Sequence, residues 1–407
     1  MKQFRLIWQS LHQVKGAVLL LMIVLTLALF VLTYLIGLVR YHSYSLTFLE
    51  RAKIENAVYF KLAFDENQME KDFYGTFASF AQTYQQISDW PGVRDVLSIS
   101  SYGSVRIEEN IYQVLVYDEA LLRHFSVPLD GSWFSDKSAV MGNPVPVVLG
   151  GNAFSNIAIG DLLTGKTGEM QEPITLKVYG KVKFPGYTLS LGDSSTVILT
   201  DNLLNDTPVI LVRDDPAIRA MLDSSDRLLI SENAWVVFED DLTEHQKKEL
   251  LERLSYYGSY NAYDDIIIAS RTNHIKQIKR ILPIPLFLFF SAFSCLFSIA
   301  SLYVLRNAQN QIVYFFCGCS KLRLLLILGQ GLSLIFLPPA LLNLLFIVFY
   351  PFIRRISWFN LHQVVLDGSV ALLILLFLTV LLVLLLLQPL IINRGRSPLQ
   401  LSRRMSS

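Results

Sequence analysis

The chain has 407 residues, of which 52% are hydrophobic and 17% are charged, with a formal net charge of +1. A chain of this composition is not expected to bind nucleic acid. Four long stretches contain no Asp, Glu, Lys or Arg: residues 17–39, 281–305, 324–353 and 368–393. Each is long enough for a helix that crosses the hydrocarbon core of a bilayer, which takes about 20 apolar residues. The sequence therefore excludes an ordinary soluble protein and predicts an integral membrane protein with four transmembrane helices.

The first of these stretches is expected to be a retained anchor. Its 23 uncharged residues exceed the apolar core of a cleaved secretory signal, which has about 7–15 residues. No A-x-A cleavage site follows it.

The charges divide the chain into two kinds of segment. Residues 41–280 carry 33 of the 34 acidic residues and 22 basic ones, a net charge of −11, and the rest of the chain carries +12. The long middle segment thus has the composition of a soluble acidic domain. The remainder consists of apolar spans with short basic flanks.

The basic flanks predict the orientation, because Lys and Arg are enriched in cytoplasmic loops. Three flanks contain an excess of such residues: Lys2, Arg5 and Lys15; Arg306, Lys321 and Arg323; and Arg394, Arg396, Arg403 and Arg404. The opposite short loop has Arg354 and Arg355, offset by Asp367. Four basic residues before the second span point the other way: Arg271, Lys276, Lys279 and Arg280. We expect both termini in the cytoplasm and residues 41–280 outside.

The resulting segments, in chain order, are a cytoplasmic N-terminus (1–16), a first transmembrane helix (17–39), an extracytoplasmic domain (40–280), a second transmembrane helix (281–305), a cytoplasmic helix and loop (306–323), a third transmembrane helix (324–350), an outer loop (351–369), a fourth transmembrane helix (370–392) and a cytoplasmic tail (393–407).

The extracytoplasmic domain is predicted to be α+β. Its first unit is a strand at 57–64, a helix over 65–87 and a strand at 93–100. Its last unit is a strand at 234–239, a helix over 242–257 that begins with a capping box, and a strand at 265–270. In the capping box Thr243 faces Gln246. The two strand–helix–strand units form the expected base of the domain.

A β-rich insert, about 108–230, is expected on top of that base. Its short apolar runs are separated by Gly, Asp, Asn and Pro, which is typical of an all-β subdomain. The runs are "YQVLVY", "VPVVL", "ITLKVYGKV", "STVILT" and "PVILVR".

The octapeptide "GDLLTGKT" at 160–167 fits the phosphate-binding pattern G-x-x-x-x-G-K-[ST]. Such a loop needs a helix directly after it, whose N–H groups face the phosphates. Here Gly168, Pro173 and a β-like run follow, and no helix is expected to start at Lys166. We interpret the segment as a β-turn region and predict no cofactor for this chain.

Cysteine and histidine usage does not indicate an enzyme or a metal site. The domain has no cysteine, and the pair Cys317 and Cys319 supplies half of a tetrahedral shell. Small residues in a tight loop are the preferred interpretation of that pair. The six histidines are scattered along the sequence without an H-E-x-x-H motif: His12, His42, His124, His245, His274 and His362. We therefore predict no catalytic and no metal-binding residues.

The stretch "YDEALLRHFSVPLDGSWF" at 117–134 ends in a turn with Gly131, Trp133 and Phe134. This turn, and the layout of one span, a large extracytoplasmic domain and three spans, resemble the FtsX/MacB-type permeases of ABC transporters, whose matching turn has the pattern Gly-x-Trp-Phe. The stretch from "PVVLGG" to "ITLKVYGKV" resembles the following strand, short helix, I-G-D turn and strand. In this comparison Ile159, Gly160 and Asp161 form the turn.

The segment 309–332 resembles the family's cytoplasmic coupling helix and the corner before the third span. The resemblance implies that six residues contact the ATPase: Ile312, Phe315, Phe316, Gly318, Ser320 and Lys321. Apolar side chains on a cytoplasmic surface usually mark a partner site. The alternative is that these side chains lie in the membrane interface. The family's inner helix usually carries Arg and Glu, and "NAQNQIVYFF" does not.

The resemblance implies a permease subunit in the bacterial cell (inner) membrane. ATP is then hydrolysed by a separate cytoplasmic ATPase, and the energy is passed to the extracytoplasmic domain by mechanotransmission. It also implies a dimer with a second permease copy or a paralogue, contact with membrane lipid, and a peptide or lipoprotein substrate. The task would be export of, or resistance to, antimicrobial peptides or bacteriocins, or lipid or lipoprotein extraction.

Two other classes of function stay open. One is a division-type signalling permease that activates a cell-wall hydrolase. The other is a membrane-anchored enzyme, which the missing catalytic motif disfavours. A proton- or sodium-coupled carrier is not expected, because the four spans contain no Asp, Glu, Lys or Arg.

Overall fold

The computed structural model describes residues 15–63, 71–125, 127–133, 144–151, 154, 156–167, 172–183, 186–190, 198–205, 207–222, 229–306, 318, 320–353 and 364–393. The helices among them are α1 (Lys15–Arg51), α2 (Phe73–Ser88), α3 (Glu119–His124), α4 (Pro216–Leu222), α5 (Glu244–Ser255), α6 (Tyr263–Ile281), α7 (Pro283–Arg306), α8 (Lys321–Ile353) and α9 (Gly368–Asn393).

The strands are β1 (Ala57–Leu62), β2 (Val93–Ile107), β3 (Asn110–Val116), β4 (Leu129–Gly131), β5 (Val145–Gly150), β6 (Leu162–Thr167), β7 (Pro173–Val182), β8 (Thr188–Leu189), β9 (Leu204–Asn205), β10 (Val209–Val212), β11 (Leu229–Phe238) and β12 (Gly258–Ala262). The chain divides into two compact units. Unit 1 comprises Met1–Tyr41 and Lys276–Ser407, and unit 2 comprises His42–Ile275.

Unit 1 contains most of the apolar helical residues. Among the residues that the structure describes, three helical stretches are long and apolar enough to cross a membrane by length and composition: Val18–Arg51, Tyr263–Cys295 and Ser333–Tyr350. A shorter apolar stretch covers Gly368–Val383 at the start of α9. The expected count of four transmembrane helices, and the boundaries given above for each segment, stay predictions.

The helices of unit 1 share an apolar core that includes Leu25 and Leu29 of α1, Ile335 of α8 and Ile374 of α9. One polar pair lies within it. The Thr33 hydroxyl of α1 donates to Oδ1 of Asn343 of α8 at 3.1 Å, and Nδ2 of that amide is 3.0 Å from the same hydroxyl oxygen. Both side chains are buried. Such interhelical hydrogen bonds fix the register of apolar helices that have few other specific contacts.

Unit 2 contains one large mixed sheet. Its strands are hydrogen-bonded in the order β12-β1-β11-β2-β3-β10-β5-β7-β4, and β6 pairs with β2 and β7. The strands of both ends of the domain lie side by side, because β1 pairs antiparallel with both β11 and β12. The strand–helix–strand base predicted from the two ends is therefore a single continuous part of this sheet.

The predicted position of the β-rich insert is wrong. β2 continues from the base into the insert as one strand of 15 residues and pairs antiparallel with β3. The remaining insert strands extend the same sheet through the parallel pairs β3–β10 and β5–β7. The insert prolongs the sheet sideways and is not a layer on top of the base. Only the two-residue strands β8 and β9 form a separate pair among the described residues.

Both faces of the sheet are covered. Alternating side chains of β1 point to opposite faces, as expected for a strand: Tyr59 lies in a cluster with Leu97 and Trp235, and Phe60 lies in another with Val236. The first cluster includes residues of α6 and of the end of α1, and the second includes residues of α2 and α5. A third cluster fills the insert under α4. Unit 2 thus has its own core.

Most predicted elements of the base are confirmed. Strands occur at β1, β2 and β11, and α5 begins with the capping box in which the Thr243 side chain accepts from the N–H of Gln246. The strand predicted at 265–270 is wrong, since these residues belong to α6 and the strand β12 precedes them. The buried residues of α6, including Ile266, Ile267, Ser270 and His274, recur at helical spacing.

In the insert, four of the five apolar runs coincide with strands β3, β5, β7 and β10. The run "STVILT" is the exception. Its described residues, 198–200, contain no strand, and Thr200 opens a short 3₁₀ helix, Thr200–Leu203.

Candidate functional site

Two histidines and an aspartate meet inside unit 2. His42 lies on α1, Asp201 on the 3₁₀ helix and His274 on α6, and they are 3%, 7% and 4% exposed. His42 Nδ1 and His274 Nε2 both lie 3.0 Å from Oδ2 of Asp201. The two imidazole rings stack, with centroids 3.9 Å apart and an interplanar angle of 21°. The nitrogen-bearing edges of both rings therefore converge on one carboxylate oxygen.

Hydroxyl groups hold the carboxylate in place. Ser45, one helical turn after His42, donates to Oδ1 of Asp201 at 2.7 Å and lies 3.1 Å from the hydroxyl of Thr200. Ser270, one turn before His274, accepts from the N–H of Thr200 at 2.9 Å and donates to the carbonyl of Ile266. Each helix thus supplies one imidazole and one serine to the same short 3₁₀ segment.

The electrostatics of the cluster favour an ionised carboxylate. Burial by itself raises the pKa of Asp201, but the hydrogen bonds from His274 and His42, the charge of His42 and the Ser45 hydroxyl together hold that pKa well below its usual range. Asp201 is consequently a buried anion with the two imidazoles on Oδ2. A negative oxygen flanked by two imidazole nitrogens can accept protons or bind a cation.

The six histidines are scattered along the sequence, but the fold brings His42 and His274 together. They are separated by 232 positions in the sequence, and Asp201 is distant from both. One signal could have indicated the cluster. Both histidines lie near the ends of the predicted domain, and the two ends of an inserted domain are often close together.

A second histidine–aspartate pair has a different geometry. His124 Nε2 lies 3.0 Å from Oδ2 of Asp95, Arg123 donates to the other carboxylate oxygen at 2.9 Å, and His124 Nδ1 lies 3.2 Å from the carbonyl of Ala52. Among the described residues, each carboxylate oxygen and each imidazole nitrogen has one partner. This is a closed structural ion pair that joins α3 to β2.

Three of the predicted ATPase-coupling residues, Ile312, Phe315 and Phe316, lie outside the described residues. Gly318 is an exposed turn residue with φ of +83°, the conformation expected there of a glycine. Ser320 is exposed, and Lys321 is the first residue of α8. The proposed contact with an ATPase stays a prediction.

The octapeptide 160–167 does not form a phosphate loop. Gly160 lies in a turn with φ of +95°, where the N–H of Ala158 donates to Asp161 at 2.7 Å. The "GKT" residues belong to β6, which pairs antiparallel with β7. In a phosphate loop the lysine stands at a helix N-terminus, whereas Lys166 is an exposed strand residue. The I-G-D turn is where the sequence predicts it.

The predicted Gly-x-Trp-Phe turn is partly described. Gly131 ends β4 with φ of +93°, and its Cα faces backbone atoms of β7. Trp133 stacks on Tyr117 at a centroid distance of 5.9 Å. Tyr117 in turn accepts a hydrogen bond from the N–H of Leu189. Phe134 lies outside the described residues.

No protein-family model matches the sequence, and a comparison with curated proteins finds no match. Among solved structures, the chain is similar to the periplasmic region of MacB from Actinobacillus actinomycetemcomitans, with 15% identity, a TM-score of 0.31, and coverage of 52% of this chain and 89% of that chain. It is also similar to the extracellular domain of the noncanonic ABC-type transporter YknZ from Gram-positive bacteria, with 13% identity, a TM-score of 0.30, and coverage of 51% and 98%. Both TM-scores are low, so the function has to be inferred from the residues of the chain itself.

Proposed function

We propose that the chain is the permease subunit of an ABC transporter, which couples ATP hydrolysis by a separate cytoplasmic ATPase to motion of an extracytoplasmic domain. The observation that carries the proposal is the order of parts along the chain. An apolar helix leads into a mixed α/β unit with its own core, and further apolar helices follow. The motif resemblance described above follows the same order.

Contacts within unit 1 support the proposed arrangement of the spans, in either orientation. The guanidinium of Arg40, just after the first span, lies 3.3 Å from Asp367, just before the fourth. The N–H of Val365 donates to the carbonyl of Gly37 at 3.1 Å. The end of the first span and the loop before the fourth are therefore close together, as expected if four helices cross the membrane and both termini lie on one side of it.

The ATPase contact is assigned to the predicted cytoplasmic segment 306–323. Four apolar residues of that segment, Ile312, Val313, Phe315 and Phe316, would face the ATPase. Gly318 would turn the chain into α8. ATP would bind to the partner subunit only, so the proposed role of this chain is mechanical.

A dimer of permeases, formed with a second copy or a paralogue, would complete the transporter. The proposed substrates are antimicrobial peptides or bacteriocins, or lipids and lipoproteins of the membrane. These are amphipathic molecules that an extracytoplasmic domain could receive from the outer leaflet.

The proposal is tested by purifying the tagged full-length chain from its own membranes in mild detergent and identifying bound proteins by mass spectrometry. We expect an ABC-type ATPase in stoichiometric amount, and we expect its ATP hydrolysis to depend on the presence of the chain. If no such ATPase is recovered under conditions that retain the chain intact, the permease assignment is wrong.

The coupling residues provide a sharper test. Phe315→Asp and Phe316→Asp should each weaken ATPase binding by about 2–4 kcal/mol, because a carboxylate would be buried without a partner in the contact. Asn310→Asp adds the same charge to the same segment at a polar position and should leave binding unchanged. Co-purification yield and ATPase stimulation measure the effect. Wild-type binding by both Phe variants would place the contact elsewhere in the chain.

A further inference from the structure

We infer that His42, Asp201 and His274 form a binding site for a divalent transition-metal cation of the Zn²⁺ class, built where α1, the 3₁₀ helix Thr200–Leu203 and α6 meet. The inference is independent of the proposed transport function. It rests on the convergence of two imidazole nitrogens on one carboxylate oxygen in a buried place.

The donor set suits such a cation. Zn²⁺ is bound in proteins by imidazole nitrogen, carboxylate oxygen and thiolate sulfur, and sites with three protein ligands leave a fourth position for water or another ligand. The harder cations Ca²⁺ and Mg²⁺ prefer oxygen ligands throughout. Two nitrogens and one oxygen therefore select the borderline metals of the first transition row.

The distances are close to those of a bound metal. The ligand atoms of the three residues all lie within 4.8 Å of one another. In a tetrahedral site with bonds of about 2.0–2.2 Å, ligand atoms are separated by about 3.4 Å. For a cation to enter the site, the two nitrogen–oxygen distances of 3.0 Å would each lengthen by about 0.4 Å. The stacked imidazoles, whose planes are inclined by 21°, would also have to turn so that both nitrogen lone pairs face the cation.

The groups around the ligands act as an outer shell. Metal-bound carboxylates are normally oriented by further hydrogen bonds. The Ser45 hydroxyl donates to Oδ1 of Asp201 and so turns Oδ2, which both imidazoles contact, toward the two rings. Ser270 fixes the backbone of the neighbouring Thr200 from the other helix.

The contacts of Asp95 and His124 differ from those in the Asp201 cluster. There one imidazole and one guanidinium satisfy the two carboxylate oxygens separately, and a backbone carbonyl contacts the second imidazole nitrogen. A buried histidine beside an aspartate does not by itself make a metal site. What distinguishes the Asp201 cluster is that two imidazoles meet the same oxygen.

A metal at this site would connect three segments that are far apart in the sequence. His42 is the first residue of unit 2, and His274 is next to its last residue. Metal binding to ligands that only the folded chain brings together stabilises the fold. The cation would therefore hold together the two chain connections at which unit 2 begins and ends.

The test uses the full-length chain in detergent, purified with a tag that contains no histidine and treated with a chelator. Cys295, Cys317 and Cys319 are replaced by serine in every sample, so that thiolates cannot bind the metal. The probe is Co²⁺, whose visible absorption bands are intense in four-coordinate sites, followed by displacement with Zn²⁺. We expect about one Co²⁺ per chain and bands that Zn²⁺ abolishes.

Two variants remove a ligand, and two controls remove a histidine elsewhere. Asp201→Asn and His274→Ala should lower Co²⁺ affinity by at least about tenfold. His245→Ala, at an exposed position of α5, and His124→Gln, at the closed ion pair, should bind as the parent chain does. Circular dichroism of each sample checks that the variants are folded.

A measurement of thermal stability accompanies the titration. Zn²⁺ should raise the thermal midpoint of the chelator-treated parent chain and leave that of Asp201→Asn unchanged. The inference is overturned if the parent chain binds no Co²⁺, or if the absorption bands and the Zn²⁺-dependent shift persist in both ligand variants. The cluster would then be a hydrogen-bonded link between the two helices and nothing more.

Discussion

At the residue scale, Gly131 and Gly103 have nearly the same backbone conformation in different surroundings. Their φ values are +93° and +90°. A Cβ at Gly131 would fall against the backbone oxygen of Tyr179 and 3.0 Å from Cα of Gly180, whereas a Cβ at Gly103 would meet no atom within 4 Å. An alanine at Gly103 would therefore have only the cost of the positive φ, whereas an alanine at Gly131 would add a steric clash with β7.

We predict that Gly103→Ala lowers the stability of the protein by about 1–2 kcal/mol, which is the cost of a left-handed conformation for a residue with a Cβ. Gly131→Ala should cost clearly more, because β4 and β7 must also move apart. Thermal unfolding of the purified full-length variants, followed by tryptophan fluorescence, measures the difference. Equal losses would mean that β4 can shift without penalty.

At the residue scale, the sequence predicts local turns but not the His42–Asp201–His274 cluster. The Gly-x-Trp-Phe and I-G-D motifs predict local turns, because positive φ and side-chain caps depend on neighbouring residues. The His42–Asp201–His274 cluster has no local signature, since its members are brought together only by the packing of α1 and α6 against the sheet. Single residues separated by 159 and 73 positions carry no spacing from which chemistry could be inferred.

At the element scale, helix α6 corrects the predicted strand at 265–270. The run "DIIIAS" is apolar and β-branched, which favours a strand when the run is considered alone. Two features indicate a helix instead. The buried residues continue at helical spacing to Ser270 and His274. Asp264 and Asp265 lie in the first turn, where acidic side chains interact favourably with the helix dipole. A short apolar run cannot be assigned without its flanks.

The two assignments predict different effects of alanine substitution. In a strand Ile266 and Ile268 would lie on the same face, but in α6 Ile266 is 2% exposed and Ile268 is 62% exposed. We predict that Ile266→Ala lowers the free energy of unfolding by about 2–5 kcal/mol through the cavity it leaves. Ile268→Ala should change it by no more than about 0.5 kcal/mol.

Urea denaturation of the full-length protein in detergent measures both values. Ile268→Ala is the matched control, since it removes the same atoms two residues away on the same element. Similar losses at the two positions would indicate strand-like alternation and contradict the helix.

At the scale of the whole molecule, the two strand–helix–strand units were predictable except for the last strand, β12, because each unit is local in sequence and has its own periodicity. The sheet that joins them was not. Its parallel pairs β3–β10 and β5–β7 link strands that are not consecutive in the chain. Because each insert strand is short and apolar, its sequence pattern predicts a strand but does not predict which other strand it pairs with.

The orientation in the membrane is the prediction on which the proposed function depends most. Basic residues favour cytoplasmic termini, but Arg271, Lys276, Lys279 and Arg280 precede the second span on the predicted outer side. Of these, Arg271 forms an ion pair with Glu50 at 3.2 Å. A paired arginine in a folded domain is weaker evidence of a cytoplasmic loop than an unopposed one in a short loop, and the orientation stays a prediction.

We predict that a cysteine at Tyr256, which is 87% exposed in unit 2, reacts with a membrane-impermeant thiol reagent in intact cells. A cysteine at Asn310, in the predicted cytoplasmic segment 306–323, should react only after the membrane is permeabilised. Both are introduced into a chain whose Cys295, Cys317 and Cys319 are replaced by serine, so that labelling reports one position. Permeabilised cells supply the control that each thiol is reactive. The reverse pattern would place unit 2 in the cytoplasm, and an ATPase could then no longer be assigned to segment 306–323.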